Sequence, residues 1–259
     1  MGYWTTVSAT RLVAFDLDDT LAPSKSPLDP AMARLLVDLL ALHEVCIISG
    51  GQFAQFQAQV IDRLPADGIA SFGRLHLMPT CGTQYYLFED GAWVQQYAEN
   101  LTAEERDGAL AAVEGEARRL GFWESETWGP ILEDRGSQIT FSALGQSAPA
   151  DIKKTWDPTG EKKNTLRAAV QLLLPGLEVR SGGSTSIDIT RRGIDKAYGM
   201  SKLAELTGIP LGDMLFVGDR LDPDGNDFPV IALGVPTHAV HDWHDTETFV
   251  SGFIEQADR

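Results

Sequence analysis

Two aspartates separated by a single residue follow an apolar run near the start of the chain. The run Leu12 to Phe15 predicts a buried strand, and Asp16 and Asp18 follow at its tip. Because side chains alternate along a strand, these two carboxylates project to the same side. Carboxylates this close repel each other, so they indicate a bound cation or a reaction that uses them. The alternative is an Asp-rich turn that closes the strand, since Asp favours turns.

Other polar residues also lie where predicted strands end or predicted helices begin. In a parallel sheet the carboxyl ends of the strands lie along one edge, where ligands bind. Carboxylates, a lysine and a hydroxyl at that edge suit phosphoryl transfer, because they can hold a hard divalent cation and neutralise phosphoryl oxygens. Glycines after the hydroxyl would let backbone amides approach an anion closely. The residues are Ser49 followed by Gly50 and Gly51, Lys196, Asp219 and Asp227.

Short apolar runs alternate with helical stretches towards both ends of the sequence. This alternation is typical of a parallel sheet covered by helices on its two faces. The elements predicted in the first part are strands over residues 11–17 and 44–49 and helices over 30–42 and 52–64. Those predicted in the last part are a helix over 196–206, strands over 214–217 and 230–233, and a helix over 246–257.

The middle of the chain has a different character. A hairpin is predicted over residues 85–97, with Asp90 and Gly91 at its turn, and it is followed by helices and half-solvated strands. The helices are expected over 103–120 and 161–174 and the strands over 138–142, 178–180 and 185–189. We therefore predict an α/β fold, with a doubly wound parallel-sheet core over 1–84 and 191–259. An α+β domain over 85–190 is expected to be inserted into it.

The net charge and the number of cysteines indicate which kinds of partner and which cellular compartment to expect. The chain carries 21 basic and 37 acidic residues and a net charge of −16. So acidic a surface repels phosphate backbones and anionic lipid, which argues against nucleic acid and membrane partners. No stretch reaches the roughly 18 consecutive apolar residues of a membrane span. Cys46 and Cys81 are too few for a disulfide framework, and this predicts a cytoplasmic protein.

The ordered set of site residues resembles the four motifs of the haloacid dehalogenase superfamily of phosphatases and phosphomutases. The resemblance implies a Rossmann-like core, with Asp16 as the nucleophile that becomes an aspartyl phosphate and Asp18 as the general acid and base. It also implies that Thr20 positions this loop. Because Asp18 must accept and release a proton, we expect its pKa to rise in the substrate complex. The implied Mg²⁺ ligands are Asp16, the backbone carbonyl of Asp18, and Asp219, with Asp227 in support; Ser49 and Lys196 would contact the phosphoryl group.

The inserted domain resembles the type IIB branch, which includes sugar-phosphate phosphatases and eukaryotic-type phosphomannomutases. On that comparison Arg135, Ser186 and Asp188 would contact the sugar or a distal phosphate, and Lys153 would supply positive charge. Gln146 stands where the mutases carry a phosphate-binding arginine, and an uncharged amide does not replace a bidentate arginine. The mutase resemblance also implies a homodimer.

We therefore predict a Mg²⁺-dependent phosphatase that acts on a small phosphorylated metabolite, with a sugar phosphate or a phosphorylated glycoside as the expected substrate. A phosphomannomutase-like phosphomutase is the alternative within enzymes. A signalling phospho-acceptor domain also groups acids, a hydroxyl and a lysine around magnesium, but such domains are compact and lack a large insertion. A catalytically silent sugar-phosphate binder is the third alternative, and the complete set of core residues argues against it.

Overall fold

The computed structural model describes residues 10–257 of the chain. These residues form two compact units. The first contains the described residues up to Ala98 together with those from Ile194 onwards, and the second is Glu99–Gly193. None of the helices over residues 10–257 combines the length and the hydropathy that a membrane span needs.

The first unit is built around a seven-stranded sheet. Its strands are β1 (Leu12–Phe15), β2 (Glu44–Ile48), β3 (Leu75–Met78), β4 (Gln84–Glu89), β5 (Ala92–Ala98), β10 (Met214–Gly218) and β11 (Thr237–Ala239). They lie in the order β11-β10-β1-β2-β3-β4-β5. The first five strands in that order pair in parallel, whereas β4 pairs antiparallel with both β3 and β5. The helices of this unit are α1 (Pro30–Leu42), α2 (Phe53–Gln59), α6 (Lys196–Thr207), α7 (Phe228–Ala232) and α8 (Trp243–Ala257).

Alternate residues of the central strands enter two separate hydrophobic cores. Val13 and Phe15 of β1 belong to the core that α1 and α8 cover, whereas Leu12 and Ala14 belong to the core that α6 and α7 cover. All four residues are fully buried. Helices on both faces of a mostly parallel sheet confirm the predicted doubly wound α/β fold.

The second unit is a four-stranded antiparallel sheet with helices on one face. Its strands are β6 (Leu132–Asp134), β7 (Gln138–Ser142), β8 (Leu177–Ser181) and β9 (Ser186–Arg191), in the order β6-β7-β9-β8. Its helices are α3 (Ala103–Leu120), α4 (Ala150–Trp156) and α5 (Glu161–Leu173). Ile139, Phe141 and Ile189 lie on the sheet face that packs against α3 and α5. The opposite face consists of polar side chains, because the residues alternate along each strand.

Local signals explain why some helices were predicted at their observed bounds. Helix α1 begins after Asp29, whose side chain accepts a hydrogen bond from the Ala31 amide, and Pro30 occupies its first turn. Helix α3 begins with a capping box between Thr102 and Glu105. These caps fix where the helices start.

Two elements of the prediction are corrected by the structure. The hairpin over 85–97 was assigned to the inserted domain, but β4 pairs with β3 and extends the sheet of the first unit. The hairpin signal is local and does not reveal which sheet the strands join. Residues 230–233 were predicted as a strand, but Val230 lies in helix α7. An apolar run this short has no decisive period, and Pro229 favours the first turn of a helix.

Candidate active site

Three carboxylates and one ammonium group lie together where the parallel strands end. Asp16 follows β1, Asp219 follows the neighbouring strand β10, and Asp227 lies just before α7. One oxygen atom of each carboxylate lies within 4.8 Å of the others. Lys196, the first residue of α6, places its Nζ 2.6 Å from Asp16 Oδ1 and donates a hydrogen bond to Asp227 Oδ1. The sequence prediction that these four residues meet at one sheet edge therefore matches their positions.

Lys196 is the buried counter-ion of this cluster. It is only 1% exposed, and burial alone would lower the pKa of its ammonium group. The carboxylates of Asp16 and Asp227 outweigh burial and raise that pKa above its usual value. The ammonium group therefore stays charged at neutral pH and holds the two carboxylates close to each other.

The carboxyl groups of Asp16 and Asp219 lie in a buried environment that disfavours their ionised form. Burial, the largest effect, raises the pKa of Asp16, and the Asp227 carboxylate adds to the rise while Lys196 opposes it. Burial and the Asp227 carboxylate likewise raise the pKa of Asp219, against the influence of Lys196 and Thr20. A cation bound beside these two residues would stabilise the ionised forms of both carboxylates.

The donor set fits a hard divalent cation. Three carboxylates against one ammonium group leave two negative charges when all are ionised, and a divalent cation balances them. Mg²⁺ prefers oxygen ligands of this kind and keeps some of its water. Asp16, Asp219 and Asp227 are the residues that would hold it. The prediction that the backbone carbonyl of Asp18 is another ligand stays a prediction.

A tight loop places Asp227 against the end of β10. The Arg220 amide donates to Asp227 Oδ2 over 3.1 Å, and the Asp227 amide donates to the Arg220 carbonyl over 3.2 Å. A Cβ atom at Gly218 would lie 2.3 Å from Asp227 Oδ2, and one at Gly225 would lie 1.8 Å from the Arg220 carbonyl oxygen. Glycine at both positions is therefore a steric requirement of this loop.

Thr20 and Ser49 belong to the same edge of the sheet. Thr20 Oγ1 donates to Asp219 Oδ1 over 3.2 Å and accepts from the Asp219 amide over 3.1 Å, which links the first loop to the loop after β10. Ser49 is buried at the end of β2, and its Oγ accepts a hydrogen bond from the Gly51 amide. Gly50 lies between them, and a Cβ atom there would come within 4.0 Å of Cys81 Sγ.

Asp18 does not join the carboxylate cluster in this structure. Its Oδ1 accepts from the Lys25 amide over 2.7 Å, and its Oδ2 accepts from the Gln55 side chain over 3.0 Å. Burial acts to raise the pKa of Asp18, but the Lys25 charge and these hydrogen bonds outweigh it and lower that pKa. The predicted rise in the pKa of Asp18 applies to the substrate complex, and it stays a prediction.

The polar face of the sheet in the second unit contains residues that the family resemblance predicts to contact the substrate. Asp188 Oδ1 accepts from the side chains of Gln138 and Thr140, each over 2.7 Å. Ser186 lies on the same strand and the same face, two residues away. Gly182 passes so close that a Cβ atom there would lie 2.7 Å from Ser186 Oγ.

The basic groups of this unit that were predicted to bind substrate already have partners within it. Arg135 is 9% exposed, and its Nη2 lies 2.6 Å from Glu133 Oε2. Lys153 Nζ donates to the Gln146 carbonyl over 2.8 Å. The roles of Arg135, Lys153, Ser186 and Asp188 towards a substrate stay predictions.

Sequence reasoning missed the residues that hold Asp18. Gln55 lies in the first turn of α2, directly after the loop that ends β2, so its place in the parallel-sheet pattern could have indicated the site. Lys25 lies in an irregular loop, where spacing gives no comparable signal. Neither residue belongs to the motifs that carry the resemblance.

Comparison with known proteins agrees with this geometry. A family model described as haloacid dehalogenase-like hydrolase matches residues 143–231, a segment that contains Lys196, Asp219 and Asp227. Phosphomannomutase 1 of Homo sapiens is 23% identical over 243 residues, covering 85% of this chain and 83% of that protein. The predicted resemblance to haloacid dehalogenase-like hydrolases and to phosphomannomutases is confirmed.

Solved structures of similar fold come from phosphatases of two kinds. An IMP-bound IMP-nucleotidase of Plasmodium falciparum has a TM-score of 0.68 at 13% identity, covering 97% of this chain and 70% of that one. A trehalose-6-phosphate phosphatase of Aspergillus fumigatus has a TM-score of 0.57 at 16% identity, covering 96% of both chains. At these identities the likeness shows the fold alone.

Proposed function

We propose that this chain is a Mg²⁺-dependent phosphatase that hydrolyses a small phosphorylated metabolite, with a sugar phosphate as the first candidate. The observation that carries the proposal is the buried cluster of Asp16, Asp219 and Asp227 around Lys196. The haloacid dehalogenase family and the sugar-phosphate enzymes among its relatives support the substrate class.

The mechanism follows from the chemistry of the side chains. Asp16 attacks phosphorus and forms an acyl phosphate, while the bond from phosphorus to the leaving oxygen breaks and Asp18 gives its proton to that oxygen. Asp18 then takes a proton from water, which attacks the acyl phosphate and releases inorganic phosphate. Lys196 and Ser49 offer donors to the phosphoryl oxygens. The bound Mg²⁺ would supply charge stabilisation for those oxygens.

Hydrolysis is favoured over the mutase reaction by the charges of the second unit. A phosphomutase must bind a second phosphate group on the sugar, and planar guanidinium groups are suited to that task. Arg135 pairs with Glu133 and Arg180 with Glu178, while Gln146 is uncharged. Because these guanidinium groups are paired with carboxylates, this unit suits the hydroxyl groups of a polyol better than a second phosphate.

The phosphomutase remains the second candidate because phosphomannomutases are similar along most of their length. The probable phosphomannomutase of Caenorhabditis elegans is 22% identical to this chain, covering 97% of this chain and 98% of that protein. A mutase would use the same nucleophile and the same metal. It differs in the group that receives the phosphoryl moiety from Asp16.

One incubation separates the two reactions. The protein is given Mg²⁺ and a hexose phosphate, alone and with the matching hexose bisphosphate, and both free phosphate and isomeric hexose phosphate are measured. Free phosphate without isomer supports the phosphatase, and isomer formed only with the bisphosphate supports the mutase. An Asp16→Asn variant serves as the control. If neither product forms from any compound in a panel of phosphorylated metabolites, the proposed function is wrong.

A further inference from the structure

The Asp18 carboxylate is held by donors from two segments outside the aspartate cluster. Besides its amide, Lys25 contributes its ammonium group, which lies 3.4 Å from Asp18 Oδ2. Gln55 donates to Oδ2, and Gln59 donates to Oδ1 over 3.4 Å. Because both carboxylate oxygens are engaged, the side chain has a defined orientation.

Lys25 and Gln55 also contact each other. Lys25 Nζ donates to Gln55 Oε1 over 2.8 Å, which leaves the amide nitrogen of Gln55 directed at Asp18. The three side chains therefore form a closed network, and none can rotate without breaking contacts with the other two. The Asp18 side chain is 22% exposed and that of Lys25 41% exposed, so solvent reaches this network.

The backbone conformation near Lys25 and Gln55 allows their contacts with Asp18. Lys25 has a φ of 59°, in the left-handed region, which is unfavourable for a residue with a Cβ atom. A Cβ atom at Gly51 would lie 2.4 Å from Gln55 Oε1, so a side chain there would displace the amide. Both features bring Lys25 and Gln55 to Asp18.

We infer that Lys25 and Gln55 are positioning residues that orient Asp18 for proton transfer to the leaving oxygen. The inference rests on the proposed phosphatase function and adds two residues to it. In the first step the bond from Asp16 to phosphorus forms, the bond to the leaving oxygen breaks, and the Asp18 proton moves to that oxygen. The transfer needs an oxygen within hydrogen-bond reach, so its rate depends on how Asp18 is held.

A different role for Lys25 would be direct contact with the substrate phosphate through its exposed ammonium group. That role predicts a higher KM for every phosphate ester, whatever its leaving group. The positioning role predicts slower transfer of the phosphoryl group to Asp16 only where the leaving oxygen needs a proton. A hexose phosphate leaves as an alkoxide and needs one, whereas p-nitrophenyl phosphate leaves as a stable phenolate.

The test measures the single-turnover rate at which the leaving alcohol or phenol is released from each ester, because the later hydrolysis of the acyl phosphate also uses Asp18. The wild-type protein is compared with the variants Lys25→Met, Lys25→Arg and Gln55→Leu. Lys25→Met and Gln55→Leu should lower this rate for the hexose phosphate about 10-fold, with the rate for p-nitrophenyl phosphate within about 2-fold of wild type. Lys25→Arg retains a charged donor and should recover most of the loss. Gln57→Leu is the matched control, because Gln57 lies on the same helix and donates to Asp62.

Combining the Lys25 substitution with Asp18→Asn shows whether Lys25 acts through Asp18. If Lys25 acts through Asp18, Lys25→Met should have no further effect on the hexose phosphate reaction in that background. Equal losses on both esters, an effect on KM alone, or an undiminished effect in the Asp18→Asn background overturns the inference while leaving the phosphatase intact. A wild-type protein that releases no phosphate from either ester, or from the wider metabolite panel, overturns both.

Discussion

At the residue scale, Lys196 determines whether the carboxylate cluster can exist in a buried position. Its ammonium group is fully enclosed and pairs with Asp16 and with Asp227. Removing one member of a buried ion pair leaves the other charge uncompensated, which costs more than the pair contributes to stability. Lys196 is therefore expected to matter for folding as well as for phosphate binding.

Replacing Lys196 by methionine should lower the free energy of unfolding by roughly 3 kcal/mol, because Asp16 and Asp227 lose their shared counter-ion. Urea unfolding of the metal-free protein at neutral pH measures this change. Lys202→Met is the control on the same helix, since Lys202 is partly exposed and lies 3.9 Å from Glu205. The control should change stability by less than about 0.5 kcal/mol. Equal effects of the two substitutions would show that the cluster does not depend on Lys196.

The raised pKa of Asp16 has a consequence for the pH dependence of the metal-free protein. A carboxyl group whose pKa is higher in the folded state binds more protons there, so its contribution to stability falls as pH rises. The loss begins near the unfolded pKa of about 3.9 and continues towards neutral pH. Relative to Asp16→Asn, the wild-type protein should lose stability over this range.

Saturating Mg²⁺ should remove that pH dependence or reverse it, because the cation favours the ionised carboxylate. Thermal unfolding of wild type and Asp16→Asn across this pH range, with Mg²⁺ and with EDTA, gives the comparison. Parallel curves for the two proteins in EDTA would mean that Asp16 is not buried as described.

At the element scale, the approach of helix α6 to the sheet brings Lys196 into the site. Gly199, one turn after Lys196, lies against Ile48 of β2 and the Cys81 backbone. A Cβ atom there would come within 2.2 Å of Ile48 Cδ1 and 2.8 Å of the Cys81 carbonyl oxygen. The backbone of α6 can come this near because no side chain intervenes.

Gly199→Ala should displace the start of α6, lower stability by about 1–3 kcal/mol and reduce kcat, since Lys196 moves with the helix. Gly252→Ala is the matched substitution in helix α8, where a Cβ atom would meet nothing within 4 Å. It should raise stability by about 0.5–1 kcal/mol and leave kcat unchanged. Urea unfolding and steady-state kinetics on both variants measure the two effects. If Gly199→Ala is as stable and active as Gly252→Ala, the close approach has no role.

The same scale shows why the sequence predicted some elements and not others. The bounds of α1 and α3 are fixed by caps, which are readable as residue types. Strand β3 was missed because Leu75–Met78 is only a short run, and a run of this length has no decisive period. Asp16 and Lys196 were predicted to lie together because both belong to recognisable motifs. Lys25 and Gln55 were missed because they contact Asp18 through loop geometry that no sequence pattern records.

At the scale of the whole molecule, charge shapes what the site can accept. The chain has a net charge of −16, and its candidate site contains three carboxylates against one buried lysine. An anionic phosphate ester would be repelled from such a site without a cation. The proposed reaction therefore requires the metal for binding the substrate as much as for the chemical step.

Transfer of the phosphoryl group to Asp16 is the central claim, and trapping the intermediate tests it most directly. The protein is mixed with a phosphorylated substrate and Mg²⁺, quenched in acid within one turnover, digested, and analysed by mass spectrometry. We predict a phosphoryl group on Asp16, absent when EDTA replaces Mg²⁺ and absent from the Asp16→Asn variant. Phosphate release by the wild-type protein with no label on Asp16, or undiminished release by Asp16→Asn, would contradict the claim.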